Sequence, residues 1–178
     1  MLVKEEVKHK ASIIIGDYQF ADSIKGDVLS LLKLCNPIPQ DNSNVKASIH
    51  TEWDWEPDNI AFRNLKSFIR EQIEKHWRPG ATSGGDRSWV RCYSFWANVY
   101  EKGDYAKSHC HKPHDFSFAY FVKAKWYHSP LILSHSGKRI RPKEGRFVIF
   151  PSFIMHHVPK HRYNDTRITL SGNFTINR

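Results

Sequence analysis

Trp89-Val90-Arg91-Cys92-Tyr93-Ser94-Phe95-Trp96-Ala97-Asn98-Val99-Tyr100, closed by Lys102-Gly103-Asp104, is the stretch on which the fold turns. Aromatic and β-branched residues fill it, and the Gly-Asp pair ends it as a turn. The same composition returns in residues 116–122, 131–134, 146–150 and 167–176, with Ser136-Gly137-Lys138 and Lys143-Glu144-Gly145 as further turns. Strands at this spacing predict a sandwich or barrel rather than a parallel α/β sheet.

Upstream the period changes. Ile24, Val28, Leu31, Leu32 and Cys35 recur at helical spacing until Asn36-Pro37. Leu65, Phe68, Ile69, Ile73 and Trp77 form a second stripe between the start signal Pro57-Asp58 and the stop signal Pro79-Gly80. Residues 36–50 and 79–88 are polar and turn-rich and read as loops. The expectation is a mostly β fold with N-terminal helices, a cupin-like jelly roll braced by two or more helices. The 178 residues fit one domain, 1–178, with 1–88 as helical support and loops and 89–178 as the jelly-roll core. A hydrophobic share of 40% excludes global disorder. The longest apolar run, Phe147-Val148-Ile149-Phe150, falls far short of the roughly 20 residues of a membrane span.

Residues 1–90 carry 12 Lys/Arg against 13 Asp/Glu, while residues 91–178 carry 15 against 5. The net charge of +9 therefore belongs to the C-terminal half, with Lys138-Arg139-Ile140-Arg141-Pro142-Lys143 as its densest run. Such a field attracts anions, whether phosphate, carboxylate or nucleic acid. The run lacks interleaved aromatics and reads as a solvated loop, a weak nucleic-acid signal. Cys35, Cys92 and Cys110 are odd in number and have no Cys-x-x-Cys spacing, and Met1-Leu2-Val3-Lys4-Glu5-Glu6 has no apolar leader. The expected setting is cytoplasmic, or the host cytoplasm if the source is viral.

Seven of the 11 His lie between positions 109 and 157. On a strand, His109 and His111 would share one face, and a third His from another strand would complete one triangular face of a metal site. Imidazole suits iron, zinc, copper and nickel alike, so spacing does not name the metal. Cys110, between the two, would face the other way. A closed zinc site would need His114 or Asp115 as a further ligand.

The order Asn98-x-Tyr100, Gly103, His109 resembles the leading strand of the iron(II)- and 2-oxoglutarate-dependent oxygenases. Downstream, Gly145-Arg146-Phe147-Val148-Ile149-Phe150-Pro151-Ser152-Phe153 leads to His156-His157-Val158, and Arg167-Ile168-Thr169 follows. That ending is similar to the family's distal His with its Arg-x-Ser/Thr pair. The pattern is closest to a branch of bacterial and phage oxygenases with a His-x-His segment and spans residues 89–174. The resemblance implies a double-stranded β-helix, Fe(II), 2-oxoglutarate as cosubstrate, and O2. It implies His109 and His156 as iron ligands, and Arg167, Thr169, Asn98 and Tyr100 around the cosubstrate. Arg suits that role because its planar fork matches a carboxylate. Arg167, Thr169 and Ser171 share one strand face, and Ile168 and Leu170 share the other.

The family's carboxylate position is held here by His111. A three-His face, or Asp115 swinging in as carboxylate, are the alternatives; a third is that iron binding is lost. His156 fits the distal-His register, with His157 as the alternative. Trp96, Tyr105 and Tyr120 are candidates to line a substrate mouth. The implied reaction is hydroxylation of a small-molecule or peptidyl substrate, anionic if the basic half faces it, with succinate and CO2 as coproducts. The competing readings are a cupin-like metal protein of other chemistry, such as a Zn- or Mn-dependent isomerase, and a silent jelly-roll module binding nucleic acid or protein. The sequence does not name the oligomeric state.

Overall fold

Two antiparallel sheets face each other in the computed structural model, which describes residues 11–35, 38, 43–77 and 89–176. The strands are β1 (Ile14–Asp17), β2 (Val45–Lys46), β3 (Ile49–His50), β4 (Val90–Tyr100), β5 (Tyr105–His109), β6 (Phe116–Lys123), β7 (Leu131–Leu133), β8 (Lys138–Ile140), β9 (Arg146–Pro151), β10 (His156–Val158) and β11 (Arg167–Ile176). The larger sheet runs β1-β9-β6-β11-β4-β3 and the smaller β2-β5-β10-β7-β8. This is the expected mostly β jelly roll, the double-stranded β-helix.

The helices lie where the stripes place them. α1 (Ala21–Leu32) buries Ile24, Val28 and Leu32, and α2 (Ile60–Trp77) buries Ala61, Phe62, Leu65, Ile69 and Ile73. Asn59 starts α2, its Oδ1 accepting from the N–H groups of Ala61 at 2.8 Å and Phe62 at 3.4 Å, as an N-cap does. Each fully buried Leu, Ile or Phe on these faces contributes about 1.5–3 kcal/mol. The helices cover the outer face of the larger sheet, and a first core forms there with Phe95, Ala97, Val99, Tyr120, Ile168 and Leu170. A second core fills the space between the sheets, from Ala106, Phe121, Leu131, Leu133, Val148 and Phe150.

The five strands expected after Ser88 are present at nearly their expected bounds. The three expected turns carry Gly103, Gly137 and Gly145 at φ of +97, +66 and +80, a region that L-residues with a Cβ rarely adopt. Two expectations are corrected. Within 36–50, residues 45–46 and 49–50 are short edge strands paired to β5 and β4; two-residue strands carry no readable period. Within 138–143, Lys138–Ile140 is the edge strand β8, paired with β7, rather than loop. Its exposed Lys138 and Arg139 are the charges that often guard a sheet edge. Asn36-Pro37, Pro79-Gly80 and the 79–88 connection lie outside the described residues.

β11 is the central strand, and its polarity is inverted. Ile168, Leu170 and Phe174 face the helices, whereas Arg167, Thr169 and Ser171 face the interior between the sheets. At Gly172 a Cβ would come 2.5 Å from the Ser94 carbonyl and 2.6 Å from the Phe118 ring, so β11 seats against β4 and β6 only because that position is bare. A polar interior face in a central strand is costly unless something polar is to be held there.

Candidate functional site

His109 and His156 are paired across β5 and β10, and His111 follows just beyond the end of β5. Their ring centroids are 4.4 Å (His109–His156), 5.0 Å (His109–His111) and 5.0 Å (His111–His156) apart. One ligand nitrogen from each lies within 4.8 Å of the others. The expected regular strand through 109–111 is not what achieves this. β5 carries an extra residue: His109 pairs with His156 but Ala106 with Val158, three steps against two. This bulge turns both Ala106 and His109 inward although they differ by an odd number. His111 is set by its own N–H, which donates to the Ser152 carbonyl at 2.8 Å.

The protons are arranged for a ligand. His109 Nδ1 lies 2.7 Å from the Lys107 carbonyl and His156 Nδ1 2.9 Å from the Ile154 carbonyl. A carbonyl only accepts, so Nδ1 carries the hydrogen in each ring and Nε2 presents its lone pair. This is the supporting contact that metal-bound imidazoles use. Burial, then the neighbouring imidazoles, pushes His111 down to about 3; burial, then His109, pushes His156 down to about 4. His109 is also lowered, by burial. The three rings are neutral, as ligands must be.

A pH dependence follows. Below about pH 6.5 the unfolded chain takes up protons on His111 and His156 that the folded chain refuses until about pH 3 and 4. Stability of the metal-free protein is therefore expected to fall as pH drops from 6.5 toward 4, by up to about 1.4 kcal/mol per pH unit for each ring. Denaturant unfolding at pH 7, 6 and 5 checks this; His111→Asn should flatten the slope, and an unchanged midpoint across that range would refute it.

Beside the imidazoles stands a wall made of three cross-strand pairs, Arg167 with Tyr100, Thr169 with Asn98 and Ser171 with Trp96. All six line one cavity with His109, His111 and His156. Arg167 is 1% exposed, the largest fully buried side chain described. Its guanidinium lies between the rings of Tyr100 at 4.8 Å and Phe121 at 5.1 Å, a favourable cation–π setting. Its Nε and Nη1, and Asn98 Oδ1, have no hydrogen-bond partner. Burial lowers the Arg167 pKa and raises that of Tyr100. A buried cation with two idle donors is expensive, and its geometry asks for a carboxylate. The donor set thus fits both a metal and a dicarboxylate.

The remaining candidates fall elsewhere. Asp115 lies outside the imidazole cluster, its Oδ2 accepting the Ile176 N–H at 2.8 Å. His157 points to the opposite side of β10, its Nδ1 3.1 Å from Ser134 Oγ, in a surface groove with Tyr105 and Lys107. His114 packs against Tyr93 with ring centroids 4.6 Å apart, and Cys110 is a free thiol. Of the expected mouth residues only Trp96 lines the cavity. Tyr120 faces the helices because Ala119 and Phe121 take the inner face of β6, and Tyr105 faces outward. Sequence reading missed Trp53, which lines the same cavity, is 46% exposed and lies 4.7 Å from Trp96. Two indoles, Trp53 and Trp55, in an otherwise polar stretch were the available signal.

Residues 132–173 match a family model described as "Putative 2OG-Fe(II) oxygenase". No curated protein matches the chain. Among solved structures, a viral collagen prolyl hydroxylase from Paramecium bursaria Chlorella virus-1 aligns at a TM-score of 0.66 with 15% identity, covering 100% of this chain and 99% of that one. A Trichoplax adhaerens prolyl hydroxylase, bound to a fragment of a hypoxia inducible factor oxygen degradation domain, gives 0.66 and 14%, covering 92% and 83%. HygX from Streptomyces hygroscopicus, with nickel and 2-oxoglutarate bound, gives 0.67 and 8%, covering 94% and 84%. The resemblance to the iron(II)- and 2-oxoglutarate-dependent oxygenase superfamily thus holds in sequence over the C-terminal segment and in fold over nearly the whole chain. Two of the solved structures similar in fold have 2-oxoglutarate bound, and this chain brings three His together on the corresponding kind of scaffold. No helix among the described residues is long and apolar enough to cross a membrane.

Proposed function

We propose that the protein is an Fe(II)- and 2-oxoglutarate-dependent dioxygenase that hydroxylates a C–H bond of a peptidyl or small-molecule substrate. One oxygen atom of O2 enters the substrate and the other enters succinate, with CO2 released from 2-oxoglutarate. The single observation that carries the reading is Arg167, buried and short of partners beside three neutral imidazoles. Neither a cupin-like isomerase nor a silent binding module gives that cation a reason to be there.

His109 and His156 would hold the metal through their Nε2 atoms and His111 through one ring nitrogen, and iron bound there would supply the redox chemistry of oxygen activation. The other roles belong to the chain. Arg167 binds the far carboxylate of the cosubstrate with its planar fork. Thr169, with its hydroxyl, and Asn98, with its amide, orient the cosubstrate from the neighbouring pair. Tyr100 and Phe121 hold the guanidinium flat. Ala119, Leu131, Val148 and Phe150 keep the walls apolar, which excludes water and strengthens each charged contact. Trp96, buried behind half-exposed Trp53, forms the substrate side of the opening. A prolyl ring, the target class in the names of two similar structures, suits such an indole wall and is the first substrate to test.

Anaerobic titration of the metal-free protein with Fe(II) and then 2-oxoglutarate tests the reading. The expected result is saturable, one-to-one appearance of the visible band of an iron-chelated keto acid. Iron binding without the band assigns the three imidazoles to other chemistry, and no metal binding removes the enzyme reading.

A further inference from the structure

A second cluster of titratable groups sits where the chain enters β11. Asp165 lies two residues before Arg167, and its carboxylate is fully engaged. Oδ2 accepts from Lys125 Nζ at 2.8 Å and from the Tyr127 hydroxyl at 2.9 Å, and Oδ1 accepts from His128 Nε2 at 3.0 Å. His161 Nε2 donates to the Asp165 backbone carbonyl at 2.7 Å. His128 and His161 are 2% and 1% exposed.

His128, His161 and Asp165 could be taken for a second metal face, but the hydrogens oppose it. The Lys125 N–H donates to His128 Nδ1 at 3.3 Å, so the ring proton is on Nε2, and that nitrogen offers Asp165 a hydrogen rather than a lone pair. The Lys125 ammonium already occupies the other carboxylate oxygen. The cluster is a hydrogen-bonded clasp.

Its placement gives the clasp a purpose. The segment after β6 is stitched to the segment before β11 by Lys123 to Thr166 at 2.7 Å, Ser129 to the Lys160 carbonyl at 3.1 Å, and the three contacts on Asp165. Asp165 is thus the carboxylate nearest in sequence to a buried guanidinium with idle donors, and His128 is close enough to Arg167 to feel its charge. Left free, a carboxylate two residues away is the natural partner for that cation, and such an internal pair would close the anion site. We infer that Lys125, Tyr127 and His128 sequester the Asp165 carboxylate and thereby keep Arg167 open for the carboxylate of an incoming ligand. The inference rests on the reading of Arg167 as the cosubstrate anchor, and it makes the three residues positioning residues for that site.

The test is epistatic. 2-Oxoglutarate affinity is measured anaerobically on the full chain with Fe(II), by the visible band and by calorimetry, and iron affinity is read in the same series. Lys125→Met with Tyr127→Phe frees Oδ2 of Asp165, leaving only His128 on Oδ1, by changes at an exposed and a half-buried position. It should weaken 2-oxoglutarate about tenfold while leaving iron affinity unchanged. Adding Asp165→Asn should return the affinity to within about twofold of the parent, because the competing charge is gone. A clasp that only braces the fold predicts the opposite, with the triple variant as weak as the double or weaker, and that result overturns the inference. So does a double variant that binds 2-oxoglutarate like the parent, or one that loses iron as well. If the parent itself takes no 2-oxoglutarate, the failure is that of the dioxygenase reading, and it shows before any variant is made.

Discussion

Arg167→Met is expected to make the metal-free protein more stable and to destroy its affinity for 2-oxoglutarate. The two effects share one cause. The guanidinium is 1% exposed and leaves Nε and Nη1 unpaired, so the folded protein carries the desolvation cost of a cation without its compensating anion. Methionine fills similar volume between Tyr100 and Phe121 without that cost. A gain of about 1–3 kcal/mol in unfolding free energy is expected from replacing a poorly compensated buried charge. The ligand loses its only buried cationic partner in the cavity, and on the order of a hundredfold or more of its affinity. Arg167→Lys keeps the charge but not the planar fork, and should fall between parent and Met. Denaturant unfolding and anaerobic titration check the two signs. A destabilised Met variant would mean that Arg167 is a structural residue.

His156→Ala is expected to reduce metal affinity by at least about a hundredfold, since one of three converging nitrogens is removed from a site with no described carboxylate to replace it. Three companions locate the third ligand. His111→Asp exchanges imidazole for the carboxylate usual in facial triads and should retain metal. Asp115→Asn should bind metal like the parent, because that carboxylate is spent on the Ile176 N–H. His157→Ala should also bind like the parent, because its ring lies on the outer side of β10. Calorimetric titration with Fe(II) under argon measures all four. A loss of metal in Asp115→Asn would restore the His-and-carboxylate alternative.

The parts of this molecule that could be read in advance are those where one local pattern has one structural solution. The stripe Leu65, Ile69, Ile73 permits only a helix with that face inward. The alternation Arg167-Ile168-Thr169-Leu170-Ser171 permits only a strand whose two faces meet different surroundings. The aromatic strands from Trp89 onward announce sheets because such side chains pack on pleats. Where contacts between distant segments decide, reading failed. Val45–Lys46 and Ile49–His50 are strands only because β5 and β4 offer edges to pair with. Tyr120 was a plausible mouth residue until its position on β6 turned it toward the helices. Trp53 reached the cavity through a loop whose path no period encodes. The three histidines come together by a route other than the expected alternation: the pairing of β5 with β10 sets His109 beside His156, and the N–H of His111 on the Ser152 carbonyl brings the third ring to them.

The extra residue in β5 makes this short segment a counting device. Lys107 and Ser108 are exposed, and their side chains make no contact with the cavity, so an exchange of either for another polar residue should be nearly silent. Their number is a different matter. Removing one takes out the bulge and leaves Ala106 and His109 two positions apart, the spacing at which a regular strand turns both inward. Here the strand carries one residue more than alternation needs, and that surplus, rather than the side chain of Lys107 or Ser108, bends β5 where it enters the imidazole cluster.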